Sequence, residues 1–231
     1  MKTAIYLLGI FLFIACPPKG QEDYRKERER MVRQQIAARG IQDKATLDAM
    51  RKVERHKLVP DNMKQYAYED SPLPIGNDQT ISQPYIVALT TEQIRPRPGM
   101  KVLDVGTGSG YQAAVLAEIV DEVYSIEIVE ELATRAKKNL AEMGYDNIHV
   151  KAGDGYHGWE EHAPFDAIVV AAAPTSIPQP LLDQLKEGGR LVIPVGATPE
   201  NQHLRLVEKT KNGKIRERNL LPVRFVPFTR N

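Results

Sequence analysis

Gly106, Gly108 and Gly110 stand at alternate positions in Val102-Leu-Asp-Val-Gly-Thr-Gly-Ser-Gly-Tyr111, directly behind a short apolar run. An apolar helical pattern follows over 113–119. Strand, glycine turn and helix in that order make a site for a nucleotide-type cofactor. Glycine lets the backbone turn tightly and meet a ligand with no Cβ between them. Asp104, Gly106, Thr107, Gly108, Ser109 and Gly110 are therefore candidate cofactor-binding residues. A dinucleotide turn needs Gly-x-Gly-x-x-Gly, and Tyr111 occupies the place of its third glycine. That disfavours a nicotinamide oxidoreductase. An ordinary tight strand–helix turn would carry the same glycines, so the turn alone decides nothing.

Two further features fall at the ends of the next two strands. Val123-Tyr-Ser-Ile-Glu127 closes in a carboxylate about 20 residues beyond the glycines, where an acid can accept both ribose hydroxyls. Gly153-Asp154-Gly155 is a turn placed to edge an adenine, with Asp154 and Gly155 as its contact residues. A solvated acid and a plain Asp-Gly turn are the simpler alternatives. Three such features at the C-terminal ends of successive strands make a ligand site the stronger reading.

These residues need a parallel sheet to hold them. Strands are expected at Lys101–Val105, Glu122–Glu127, 148–151, 167–172 and 190–194, and helices at 111–119, 130–143 and 180–185. That alternation predicts an α/β, doubly wound, Rossmann-like sandwich with helices on both faces. The run Ala167-Ile-Val-Val-Ala-Ala-Ala173 is apolar throughout, as a strand covered on both sides should be. Near the end, 204–209 and 215–226 flank Lys211-Asn-Gly213, a hairpin signal. The sheet should therefore be mixed, with an antiparallel C-terminal hairpin. Upstream, Asp43 is a good N-cap for a helix carrying Leu47 and Met50, while Gln21 to Arg30 read as a linker or a solvated helical face. Residues 66–80, with Pro72, Pro74 and Gly76, read as loop with short extended pieces. Ser82-Gln-Pro84 opens another helix, with Ser82 as cap and Pro84 in the first turn. The chain divides into a leader (1–20), an N-terminal helical and substrate-contact segment (21–98) and a core (99–231).

The 231 residues suit one α/β domain with an extension. A net charge of +1 argues against a nucleic-acid binder held by phosphate contacts. One cysteine, Cys16, excludes a disulfide framework, and no histidine spacing suggests a metal site. Lys2 and the apolar run from Ala4 to Ala15 have the form of a secretory signal peptide, too short for a comfortable transmembrane helix. Ile14-Ala-Cys16 resembles a lipoprotein lipobox, with Phe13 where Leu is usual. That reading puts the protein in the periplasm or anchored at the membrane through residues 1–16 alone. A start at Met31 is the alternative.

The spacing Gly-x-Gly-x-Gly resembles the first motif of S-adenosyl-L-methionine-dependent methyltransferases. Further motifs make the likeness specific: Gly153-Asp-Gly155, Phe165-Asp-Ala-Ile-Val169, Glu187-Gly-Gly-Arg-Leu-Val-Ile-Pro-Val-Gly196, Leu73-Pro-Ile-Gly76, Gln79-Thr-Ile-Ser-Gln-Pro84 and Val223-Arg-Phe-Val-Pro227. From about Met31 to Phe228 the chain resembles the protein-L-isoaspartate O-methyltransferase family. The first motif is shared by methyltransferases in general; the Gln-Thr-Ile-Ser-Gln-Pro and Val-Arg-Phe-Val-Pro segments are distinctive of this family. The extension 1–30 departs from it.

The resemblance implies S-adenosyl-L-methionine as cofactor and proteins or peptides containing isoaspartyl residues as partners. It implies methylation of the free α-carboxylate of L-isoaspartate, after which the ester closes to a succinimide and hydrolysis returns some normal aspartate. It assigns Ser82 to the active site, Thr80 and Gln83 to the same pocket, and Val223, Phe225 and Val226 to a segment along the substrate. As an edge strand that segment could hold an extended peptide through unpaired backbone groups. The family default is a cytoplasmic monomer. A carboxylate nucleophile with a pKa of about 3.9 is already ionised at neutral pH, so no general base is needed. Methyl transfer to another protein group or a small molecule is the alternative within the class. A scaffold that kept the fold and lost turnover is the non-enzymatic one.

Overall fold

The computed structural model describes residues 20–230; the leader reading of 1–16 lies outside them. Among these residues nine strands and six α-helices alternate with short 3-10 turns and one π-helical turn, Val32–Ile36. The N-terminal segment holds α1 (Gln21–Met31), α2 (Lys44–Lys52), a hairpin of β1 (Leu73–Gly76) and β2 (Gln79–Ile81), and α3 (Pro84–Gln93). The remainder holds β3 (Lys101–Val105), α4 (Tyr111–Ala117), β4 (Glu122–Glu127), α5 (Glu130–Glu142), β5 (Ile148–Ala152), β6 (Phe165–Val170), α6 (Gln179–Asp183), β7 (Leu185–Val195), β8 (His203–Lys209) and β9 (Ile215–Pro222).

The large sheet has the order β5-β4-β3-β6-β7-β8-β9. Pairing is parallel from β5 to β7 and antiparallel for β7–β8 and β8–β9. Chain order reverses between β3 and β6, and a crevice opens there at the carboxyl ends of the strands.

Alternation along the strands sorts the core into two layers. Val102, Val123, Ala167 and Val192 join one apolar cluster with residues of α2 to α5, while Leu103, Ile126, Ile168 and Leu191 join the other with Leu181 of α6. The two faces are unequally covered: α6 and 3-10 turns suffice on the second. In α3, Val87, Ala88, Leu89, Thr90 and Thr91 are all buried, which suits a helix enclosed between the sheet and α2.

Several boundaries differ from the sequence expectation. The charged stretch after Gln21 is a packed helix, not a linker. Tyr24 stacks on His56 at 4.0 Å, and Arg28 donates to the Tyr68 hydroxyl at 3.1 Å. Strand β6 starts earlier and stops at Val170, and α6 ends before Leu185, which enters β7. Strand β9 ends at Pro222 instead of 226. Asp43 caps α2 as expected, its carboxylate accepting from Thr46 N at 2.8 Å.

Candidate active site

The turn after β3 is bound to the end of β4. Gly106 N and Thr107 N both donate to Ile126 O, at 2.8 and 3.2 Å. Gly108 N donates to Glu127 Oε2 at 2.7 Å, and Val129 N to Glu127 Oε1 at 3.0 Å. Gly106, Gly108 and Gly110 have φ of 95°, 52° and 88°, a region that L side chains rarely adopt. Gly106 and Gly108 line a cavity together with Glu127, Gly155 and Phe228. Each Glu127 oxygen keeps a lone pair beyond its backbone bond, so it can still accept from a ligand hydroxyl.

Behind the turn lies a hydrogen-bonded chain. Thr107 Oγ1 and Ser125 Oγ are 2.6 Å apart, and Ser125 donates to Asp104 Oδ2 at 2.7 Å. Asp104 is wholly buried and its Oδ1 has no partner among the described residues. Burial pushes its carboxyl up to about 7; the Ser125 hydrogen bond opposes this and nearby Glu127 adds to it. Asp104 lines a second cavity with Thr107, Ser109, Ser82 and Thr80. A buried carboxyl with an unpartnered oxygen fits the cationic groups of S-adenosyl-L-methionine.

The hairpin β1–β2 closes over this turn. Ile75 Cδ1 would lie 3.4 Å from a Cβ on Gly108. Arg135 of α5 donates to Ile75 O, and Asn77 donates to Glu131 at 2.8 Å. Thr80 of β2 thereby lines both cavities and an open groove of about 1370 Å³ beside them; Ala171 does the same. Ser82 lines the inner cavity and the groove.

Ser82 is not the helix cap. Gln83 takes that position, extended at φ −50° and ψ 136°, with Pro84 first in the helix. Proline forces the residue before it out of the helical region, which moves the start one place along. The Ser82 hydroxyl makes no hydrogen bond among the described residues, so it remains available to a ligand. Gln83 lines the groove while its amide donates to Asp70 O at 3.0 Å.

Residues 223–226 also depart from expectation. Pro222 cannot donate to a ladder, and the chain leaves the sheet there. Val223 N donates to Gln202 O at 3.0 Å, and Phe225 N donates to Gln202 Oε1 at 2.6 Å. The open edge strand is thus replaced by a segment pinned across the strand ends. Val223, Phe225 and Val226 still line the groove, and Val226 also lines the Glu127 cavity.

Two candidates are placed differently from the rest. Gly110 backs onto α5: a Cβ there would meet Leu140 at 3.0 Å, so it serves packing and borders neither cavity. Asp154 holds its own turn, accepting from Tyr156 N at 2.9 Å and from Arg230 at 3.1 Å, and only its neighbour Gly155 faces the cavity. Sequence reasoning missed Ala171, Gln202 and Phe228. Ala171 lay inside a run read only as buried strand, and nothing local marks the other two.

A parallel sheet extended by an antiparallel pair, with a glycine turn after its central strand and an acid after the next, is the build of an S-adenosyl-L-methionine-dependent methyltransferase. Relatives narrow the class. The family model described as Protein-L-isoaspartate(D-aspartate) O-methyltransferase (PCMT) matches residues 26–231, and the chain belongs to that family. It is 55% identical to the protein-L-isoaspartate O-methyltransferase of Opitutus terrae, over 100% of this chain and 99% of that one. It is 58% identical to that of Gloeobacter violaceus, over 87% and 97% of the two chains. A solved Plasmodium falciparum structure described as a protein-L-isoaspartate O-methyltransferase, in complex with S-adenosyl-L-homocysteine, superposes with a TM-score of 0.75. It is 29% identical and is covered over 99% of its length by 88% of this chain.

Proposed function

We propose that the groove receives an extended segment bearing an L-isoaspartyl residue and that its free α-carboxylate is methylated beside Ser82. One observation carries this reading. Ser82 and Thr80 stand where the inner cavity meets the groove, so one face serves the donor and the other the acceptor. S-adenosyl-L-methionine, held by Glu127, Gly106, Gly108 and Asp104, supplies a methyl group on a positively charged sulfur.

The rest of the chemistry belongs to the chain. The acceptor carboxylate is ionised at neutral pH, so the site needs alignment and dehydration instead of a base. Ser82 donates a hydrogen bond to one carboxylate oxygen and leaves the other to attack. The positive end of the α3 dipole favours the anion in the same place, although Pro84 has no N–H and Ile86 N and Val87 N both donate to Gln83 O. Thr80 and Phe225 wall off water. Alignment of this kind can supply about 7–11 kcal/mol of barrier reduction. More than half of the groove's lining residues are apolar, with Arg39, Glu200 and Arg224 also at it, and an apolar lining suits damage arising in many sequences.

Labelled S-adenosyl-L-methionine and a pair of peptides differing only in isoaspartate against aspartate test this reading. Label should enter the isoaspartyl peptide alone and leave as methanol. Equal labelling of both peptides would move the substrate to another group.

Residues 1–16 supply the leader that takes the protein out of the cytosol, and 21–98 with 99–231 act together as a monomer. The basic start, the apolar run and Cys16 support the leader. Among the described residues no helix is long and apolar enough to cross a membrane. Fractionation with mass spectrometry of the mature N-terminus tests the leader. An uncleaved chain, or one beginning at Met31, would overturn it. Light scattering tests the monomer.

A further inference from the structure

The segment beyond Val226 runs beside the Glu127 cavity. Ala173 N donates to Val226 O at 2.9 Å and Phe228 N donates to Ala173 O at 3.0 Å, pairing Pro227 with Ala173 in a parallel bridge. Val226 to Thr229 then form a wall of the cavity. A second wall comes from the turn after β5, where a Cβ on Gly155 would stand at an ordinary contact distance, 3.9 Å, from the Phe228 ring. Neither wall is covalently near the other, and Phe228 bridges them only by contact.

Arg230 joins the two. Its guanidinium lies 3.6 Å from the centre of the Tyr156 ring. Nε donates to Asp154 Oδ2 at 3.1 Å, and Nη2 lies 3.3 Å from His157 Nε2, which accepts. Asp154, Tyr156 and His157 flank Gly155 in one short turn. The Asp154 carboxylate, already fixed by Tyr156 N, is mostly shielded, whereas Arg230 is half-exposed. A planar cation stacked on a ring and bonded at its edge is held in a way that an isolated surface ion pair is not.

We propose that Arg230 is a positioning residue. It latches the Pro227–Thr229 strap, which lines the cavity and not the groove, onto the Gly155 turn and so sets how long the donor, and the demethylated product, stay in the cavity. The inference rests on the reading that this cavity holds the donor. Peptide enters through the groove, which Arg230 does not border. The latch therefore controls one ligand and not the other.

S-adenosyl-L-homocysteine is the probe, followed by calorimetry and stopped-flow dissociation. The wild-type protein should bind it; no binding would remove the donor cavity itself, and the latch with it. Arg230→Ala should then weaken affinity about five-fold, through faster dissociation, the scale of one stacked cation and one exposed pair. KM for an isoaspartyl peptide and the melting temperature should stay unchanged. Arg230→Lys should fall between, keeping charge but losing the flat face. Tyr156→Leu should reproduce the Arg230→Ala effect, and the double variant should be no worse than either. Wild-type dissociation in Arg230→Ala, a matching rise in peptide KM, or full additivity in the double variant would each overturn the latch.

Discussion

Gly108 N donates to Glu127 Oε2 across 2.7 Å, so the acid that ends β4 is tied to the glycine turn that follows β3. The carboxylate both shapes the turn and remains open to a ligand. Glu127→Ala should weaken binding of S-adenosyl-L-homocysteine by about 1–3 kcal/mol, the range for a buried group losing its partner. Calorimetry at native affinity would remove Glu127 from the ribose contact.

Ser82→Ala should separate turnover from donor binding. Among the described residues the hydroxyl has no hydrogen-bond partner, and Ser82 lines both cavity and groove. Loss of one hydrogen bond to a charged acceptor predicts roughly a 10- to 100-fold drop in kcat. Affinity for S-adenosyl-L-homocysteine should hold. Unchanged turnover on an isoaspartyl peptide would refute the role.

Asp104 carries a pH signature. Its carboxyl is raised from 3.8 to about 7 by burial, so the folded chain holds this proton more tightly than the unfolded chain. The stability it contributes is full below about pH 4 and is lost as pH rises through about 7. Ionised Asp104 is then a better partner for a cationic ligand. The thermal shift given by S-adenosyl-L-homocysteine should therefore be larger at pH 8 than at pH 5.5. Asp104→Asn should flatten the difference; a persistent pH dependence in that variant would assign it elsewhere.

Gly155→Ala tests the close approach of the two strand ends. A Cβ there would stand 2.4 Å from Val105 Cγ1, so either the turn or the Val105 side chain, both of which line the cavity, must shift. Overpacking of this kind costs about 1–3 kcal/mol. A lowered melting temperature with weaker donor binding is expected. A variant with wild-type values in both would show that the turn is slack.

Legibility followed the reach of each signal. Strands β3 and β4 appear at the limits expected, because an apolar run closed by a glycine or an acid is a local mark. Asp43 capped its helix because nothing competes with it. Ser82 lost the cap because Pro84 restricts the residue between them, a neighbour effect stronger than hydroxyl preference. The 215–226 strand was read too long because the alternating pattern continues past Pro222 while the ladder cannot.

The glycine turn, Glu127, the Thr80–Pro84 segment and the family were determined by sequence alone. Each is a short pattern whose chemistry depends on residue type and spacing. Only the tertiary structure decided that Ala171 lines both cavities and the groove, that Gln202 pins residues 223–225, and that Gly110 and Asp154 border none of the three. These outcomes depend on which distant elements meet at the crossover between β3 and β6. Burial, hydrogen-bond partners and free volume are properties of that meeting, and no single segment carries them.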